Sequence, residues 1–337
     1  MEAIILGLIT GLLFGFILQR GRICFNSAFR DLYLMKDNFL FKGITLAMAI
    51  EMLMFPAMAA VGMIKLNPKP FNLPAQIIGG FIFGMGMVLA GGCASGTTYR
   101  VGEGNTTSWV AAFTYGLTAL AVKHGGLHWI LKLFSKFTVK VTPTVSANLY
   151  EPSKKIGPTL ATALHINHWI VAVIFAALLF WYVFGTKTTE RPESKMTWKV
   201  IGISLTIVAA FGFWSSYISG RHYGLGITGG WVSLFSSYTK GGLINWEGAE
   251  VLGIVIGAFI SAIIAGEFKF RVPKKGITYL QTAIGGAFLG LGAALAMGCN
   301  IGNYFTGIPQ LAIGSIVAGI FFILGNWFMA WLMYGRS

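Results

Sequence analysis

The sequence predicts an all-α integral membrane protein with about nine transmembrane helices, an inverted internal repeat, and short re-entrant or broken helices. Three observations predict it. Of 337 residues, 55% are hydrophobic and only 11% are charged. That is about half the charged share of a soluble domain, so a water-facing surface cannot be built from this supply. The apolar residues come in blocks of about 17 to 25, the length at which a helix rising about 1.5 Å per residue crosses a hydrocarbon core roughly 30 Å thick. Finally, one glycine-rich segment occurs twice.

The apolar segments lie near residues 2–19, 43–64, 75–92, 107–122, 167–185, 198–218, 249–266, 281–298 and 311–334. The first follows directly on Met1 and Glu2, without a basic leader or a small-residue cleavage site, and is expected to stay in the protein. The third contains Gly80 and Gly84, a spacing that lets transmembrane helices approach closely. After the fourth, residues 127–141 set Lys132, Lys136 and Lys140 one helical turn apart beside Trp129, Leu133, Phe134 and Phe137, the pattern of an interfacial helix. Residues 142–159, with three prolines, read as a connecting loop. The glycine-rich 219–250 stretch either re-enters the membrane or forms an exposed loop.

If all nine segments cross, the odd-numbered connections share one side and hold 15 of the 25 basic residues. Apart from the long 123–166 connection, the other side holds four: Lys65, Lys69, Arg221 and Lys240. The positive-inside rule then places the N-terminus outside and the C-terminus in the cytoplasm. The net charge of +14 is spread over short inter-helix segments, which argues against nucleic acid as a partner and for an anion.

The repeat matches residues 78–96, IGGFIFGMGMVLAGGCASG, to residues 284–302, IGGAFLGLGAALAMGCNIG, at an offset of 206 with ten identities in nineteen positions. With nine crossings the two copies run in opposite directions. The chain then reads as one transport domain, 1–337, with inverted halves 1–122 and 198–337 joined by residues 123–197. Inverted repeats with glycine-interrupted segments point to a transporter whose site lies at the repeat interface near the bilayer midplane.

Both copies end in Gly-Cys followed by Gly three residues later: Gly92, Cys93, Gly96 and Gly298, Cys299, Gly302. A helix broken within a membrane leaves unpaired backbone groups that need a polar cavity or protein around them. Polar side chains follow at once: Ser95 and Thr97 in one copy, Asn300 and Asn303 in the other. A lone buried cysteine is ordinarily a small apolar residue; recurrence at the same repeat position favours function. The third cysteine, Cys24, lies in QRGRICFNSAFRD just past the first segment. No CxxC occurs among the three, which speaks against a thioredoxin-like pair or a four-ligand zinc site. A thiol is a weak donor on a soft, polarizable sulfur, suited to a sulfur-bearing substrate.

RGRICFNSAFRD, GGCASGTTYR and AMGCNIGNYFTG, with their glycine-rich lead-ins, resemble the YeeE/YedE sulphur-transport family of bacterial membrane proteins over essentially the whole chain. The resemblance implies thiosulfate uptake across the inner membrane, inverted halves with short loop helices pointing inward, and Cys24, Cys93 and Cys299 touching the substrate sulfur in turn. It also implies a small cytoplasmic sulfur carrier of the TusA type as partner. Members linked to selenium leave the substrate partly open.

On this reading the anion gathers in a basic outer vestibule drawn from Lys65, Lys69, Arg221 and Lys240. It then passes three neutral thiols that donate S–H hydrogen bonds, several weak sites in series permitting release. Glu51, within the second segment, is a candidate for proton coupling, for pairing with an arginine, or for a structural hydrogen bond. Arg100 and Glu103 are candidates for a cytoplasmic gate or a plain ion pair. His124 with His128, and His165 with His168, have helical ligand spacing but border membrane interfaces, and no metal is assigned to them. No nucleotide-binding loop or other cofactor motif is present. Two rivals remain open: a membrane thiol enzyme or sulfurtransferase working through a persulfide, and a channel or transporter for another small anion.

Overall fold

The computed structural model of the chain describes residues 1–151, 155–191 and 194–335; part of the proline-bearing 142–159 loop lies outside them. The described residues are helical, with isolated bridges in the connections and no strand. Eight helical stretches are long and apolar enough to cross a membrane. They contain α1 (Glu2–Arg20), α3 (Phe39–Ala60), α4 (Leu73–Leu89), α9 (His168–Gly185), α10 (Trp198–Ile218), α12 (Trp246–Ile264), α13 (Ile277–Leu295) and α15 (Ile313–Tyr334). The expected segment 107–122 folds as α6 (Thr106–His124). With Thr106, Thr107, Ser108, Thr114 and Thr118 along it, α6 falls outside that apolar set, so apolarity alone yields eight.

Glycine decides which helices meet. A Cβ on Gly11 of α1 would run into the carbonyl of Glu250 and come within 2.8 Å of the Gly253 Cα on α12. One on Gly84 of α4 would lie 2.6 Å from the amide nitrogen of Asn326 on α15. At such separations backbone packs on backbone, which substitutes for the hydrophobic drive that lipid does not supply. The outward faces are apolar: Ile170, Val173, Ile174, Leu178, Trp181 and Phe184 of α9 are all exposed. Such a continuous patch is a lipid-facing surface.

Short helices fill the centre. α2 (Phe25–Leu34), α5 (Ala94–Gly102) and α11 (Ile227–Lys240) each follow a long helix. Beyond Cys299 a single turn, α14 (Asn300–Gly302), passes into a π turn over Asn303–Gly307 and a 3₁₀ turn over Ile308–Gln310. The predicted interfacial helix is shorter than expected. It is confined to α7 (His128–Ser135); Val139 and Val141 instead exchange backbone hydrogen bonds with Phe71 and Ile156. Those extended pairings satisfy backbone groups that a longer helix would have satisfied internally.

Candidate functional site

The two ends of the bundle are tied differently. At the end where α1, α5 and α12 stop, here called basal, Arg22 bridges Glu103 at 2.5 Å and Glu267 at 2.7 Å. Gln19 donates to both carboxylates, Lys195 pairs with Glu267, and Arg271 reaches Glu103 at 3.5 Å. Hydrogen bonding from Lys195, then Gln19 and the Arg22 charge hold the Glu267 carboxyl below its usual range. Arg100, expected to face Glu103, instead donates to the Gly91 carbonyl at 2.6 Å. It closes the turn between α4 and α5, while Glu103 is taken by Arg22 and Arg271.

Between the ends, the chain breaks converge. Cys24 caps the N-terminus of α2 and Cys93 that of α5. Their sulfurs lie 3.6 Å apart, and both are free thiols. Cys93 Sγ also accepts from the amides of Phe25 and Gly96, each at 3.3 Å, and lies 3.2 Å from Ser95 Oγ. One sulfur therefore gathers donors from two helix N-termini, where amides are otherwise unpaired and the backbone dipole favours negative charge. Phe25 packs tilted against Tyr304 and edge-on against Phe305 at centroid distances of 5.1 and 5.3 Å, which brings the Cys24 break against the stretch that follows Cys299.

Cys299 is buried like the other two but makes no hydrogen bond to either among the described residues. The side chains after it divide. Asn303 donates to the carbonyls of Gly298 and Cys299 and so braces the break. Asn300 is fully buried with neither amide atom partnered, and Thr97 Oγ1 is likewise unpartnered. Groups of this kind are costly when dry and empty, and are suited to hold a polar ligand.

On the opposite, apical end, a pocket of about 350 Å³ lies beside Cys299, lined among others by Lys69, Lys123, Asn72 and Met297. Lys69 Nζ donates to the Met297 carbonyl at 2.7 Å and lies 4.2 Å from the Tyr223 ring centroid. Burial, with repulsion from Lys123 and Arg221, pulls the Lys69 ammonium down to about 7. Arg221 faces this region but is paired with Glu247 at 2.7 Å. Lys65 turns away, donating to the Asn148 carbonyl; the side chain of Lys240 lies outside the described residues. Lys123 joins the pocket although the sequence reading left it in the long connection. Tyr115, Tyr223 and Thr228 were missed as well, since a single polar residue in a helix carries no spacing signal and Tyr223 lies in the irregular segment between α10 and α11.

Glu51 is fully buried and neither oxygen has a partner among the described residues, so neither the expected arginine pairing nor the structural hydrogen bond is seen among them. His168 Nδ1 lies 2.8 Å from the Tyr150 hydroxyl. No group of three His, Cys, Asp or Glu suited to a metal ion occurs among the described residues. The 219–250 stretch contains α11, whose N-terminal turn is buried.

Apolar spanning helices around a broken, polar centre, with cationic residues at one mouth, define a membrane transport protein. The chain belongs to the Sulphur transport family, whose profile matches residues 20–328. It is 54% identical to the thiosulfate transporter TsuA of Spirochaeta thermophila, over 98% of this chain and 99% of that one. It is 32% identical to the thiosulfate transporter TsuA of Escherichia coli, over 99% and 95%. A shorter match, 41% over 26% of this chain and 22% of the other, joins it to the probable transporter YedE of Escherichia coli.

Proposed function

We propose that this protein takes up thiosulfate across the bacterial inner membrane, from the apical pocket to the basal face, with the N-terminus outside and the C-terminus in the cytoplasm. Residues 1–122 and 198–337 form the inverted halves, and α6 completes nine crossings. Lys69 and Lys123 draw the dianion in. Cys299 and then Cys93 and Cys24 donate S–H hydrogen bonds to its terminal sulfur, while Asn300, Thr97 and Ser95 meet its oxygens. The thiols act neutral, because a thiolate would repel the substrate. Sulfate, without a terminal sulfur, would forgo the thiol contacts. On the basal side, a groove of about 550 Å³ lined by Arg20, Arg22, Arg191 and Lys195 together with Glu190 and Glu267 offers a net-positive, mixed-charge surface to a TusA-like carrier.

The observation that carries this reading is the Cys24–Cys93 thiol pair at two facing helix N-termini, with Cys299 two residues beyond Met297 in the wall of the lysine pocket. Similarity over nearly the whole chain to two thiosulfate transporters supports the substrate. Uptake of radiolabelled thiosulfate by bacterial cells lacking their own sulfate and thiosulfate importers tests it. Intact protein should restore uptake and a well-expressed Cys93→Ala variant should not. Equal uptake would remove the thiol path and leave a transporter, and a covalent cysteine adduct during turnover would favour persulfide chemistry.

A further inference from the structure

Cys24 and Cys93 touch, but among the described residues no thiol contact spans the step from Cys299 to Cys93. Tyr115 of α6 lies at that step. It is fully buried, and its hydroxyl is 2.7 Å from Thr228 Oγ1. Cys299 and Cys93 are both among its electrostatic neighbours. Thr228 belongs to the first turn of α11, whose N-cap Gly226 supplies no side-chain cap.

The inverted repeat provides an internal control for this hydroxyl. A Cβ on Gly290 would meet the Tyr115 carbonyl and the Ala119 nitrogen. On Gly84, exactly one repeat offset earlier, it would meet the Phe322 carbonyl and the Asn326 nitrogen. Tyr115 and Phe322 therefore occupy matching places on their helices. Phe322 is fully buried with its ring 4.6 Å from that of Phe83. A plain phenyl ring meets the packing demand at this place, so the Tyr115 hydroxyl is an addition in an otherwise apolar wall, partnered by a second hydroxyl.

We propose that the Tyr115–Thr228 hydroxyl pair is a binding station for the anion between Cys299 and Cys93. It holds the oxygen end of thiosulfate while the terminal sulfur passes from one thiol to the next. Hydroxyls are hard donors matched to sulfonate oxygens, as thiols are matched to sulfur. Both are neutral, and either can turn its proton from the other toward a passing anion, which gives a hold weak enough for release. The station rests on the reading of Cys299 and Cys93 as path residues.

Tyr115→Phe keeps the ring and removes the hydroxyl. In the uptake assay its maximal rate should fall about tenfold, the loss of roughly one hydrogen bond to a charged group. Half-saturation should stay within about twofold, since capture at the lysine pocket precedes this step. Labelling of Cys299 by an anionic methanethiosulfonate, which a general loss of folding would raise by exposing this buried thiol, should be unchanged. An unchanged maximal rate beside an inactive Cys93→Ala would overturn the station and leave the thiol path standing. Unchanged rates in both variants would remove the thiol path and the station together. If Tyr115→Phe alters Cys299 labelling, the near-isosteric Thr228→Val decides: slowed uptake with Cys299 labelling unchanged supports the station, and full uptake rejects it.

Discussion

Gly96 and Gly302 stand at the same place in the two copies of the repeat, and their surroundings differ. A Cβ on Gly96 would come 2.5 Å from Cys24 Sγ, whereas on Gly302 the nearest atom is 3.7 Å away. Gly96→Ala should therefore push the thiols apart and lower uptake by about tenfold or more, since a displacement of ~1 Å at a positioned group costs on the order of 10²-fold. Gly302→Ala should transport normally; equal loss in both variants would contradict the account. Lys69 makes a second prediction. Its ammonium is pulled down to about 7, first by burial and then by Lys123 and Arg221, with Glu247 and Cys299 acting in the opposite direction. As pH rises through that value Lys69 loses its charge, while thiosulfate keeps both of its own. Half-saturation should therefore weaken by about fivefold between pH 6 and pH 8.5, the ~1 kcal/mol of one screened charge contact. In Lys69→Arg the profile should be flat, because a guanidinium stays charged throughout.

Among elements, α1 and α12 form a close backbone pairing, with Gly7, Gly11 and Gly15 of one helix set against Trp246, Glu250 and Ile254 of the other. Gly11→Val forces the pair apart and should destabilise the protein by about 1–3 kcal/mol, read as a lower melting temperature in detergent. Gly126→Ala, where an added Cβ meets nothing within 4 Å, is the control and should leave it unmoved. The short helices have a different task. α2 and α5 are only ten and nine residues long, and their value lies in where they begin. Each starts at a cysteine, so its free amides and positive dipole end lie in the protein's centre.

For the whole molecule, the basal ionic network links α1, α5 and α12 with the segments preceding α10 and α13, while the apical end carries the lysine pocket. The proposed direction of uptake puts the basal end in the cytoplasm, so a reporter fused after Tyr334 that is active only in the cytoplasm should be active, and one active only outside should be silent. The reverse pattern would invert the proposed direction of uptake.

The sequence alone determined the spanning helices, because each is set by the thickness of the bilayer and a continuous apolar run: segment 198–218 is α10 residue for residue, and segments 167–185 and 311–334 begin within two residues of α9 and α15. It also located the breaks, since Gly-Cys followed by polar residues cannot continue a lipid-facing helix. Tertiary structure alone decided which groups meet across those breaks. That Cys24 meets Cys93, that Glu103 binds Arg22 in place of Arg100, that Glu51 has no partner among the described residues, and that Tyr115 reaches Thr228 all depend on helix rotation and depth. Those are set by close packing at glycines hundreds of residues apart in some cases, such as Gly11 against Gly253, and local apolar periodicity carries no record of that packing.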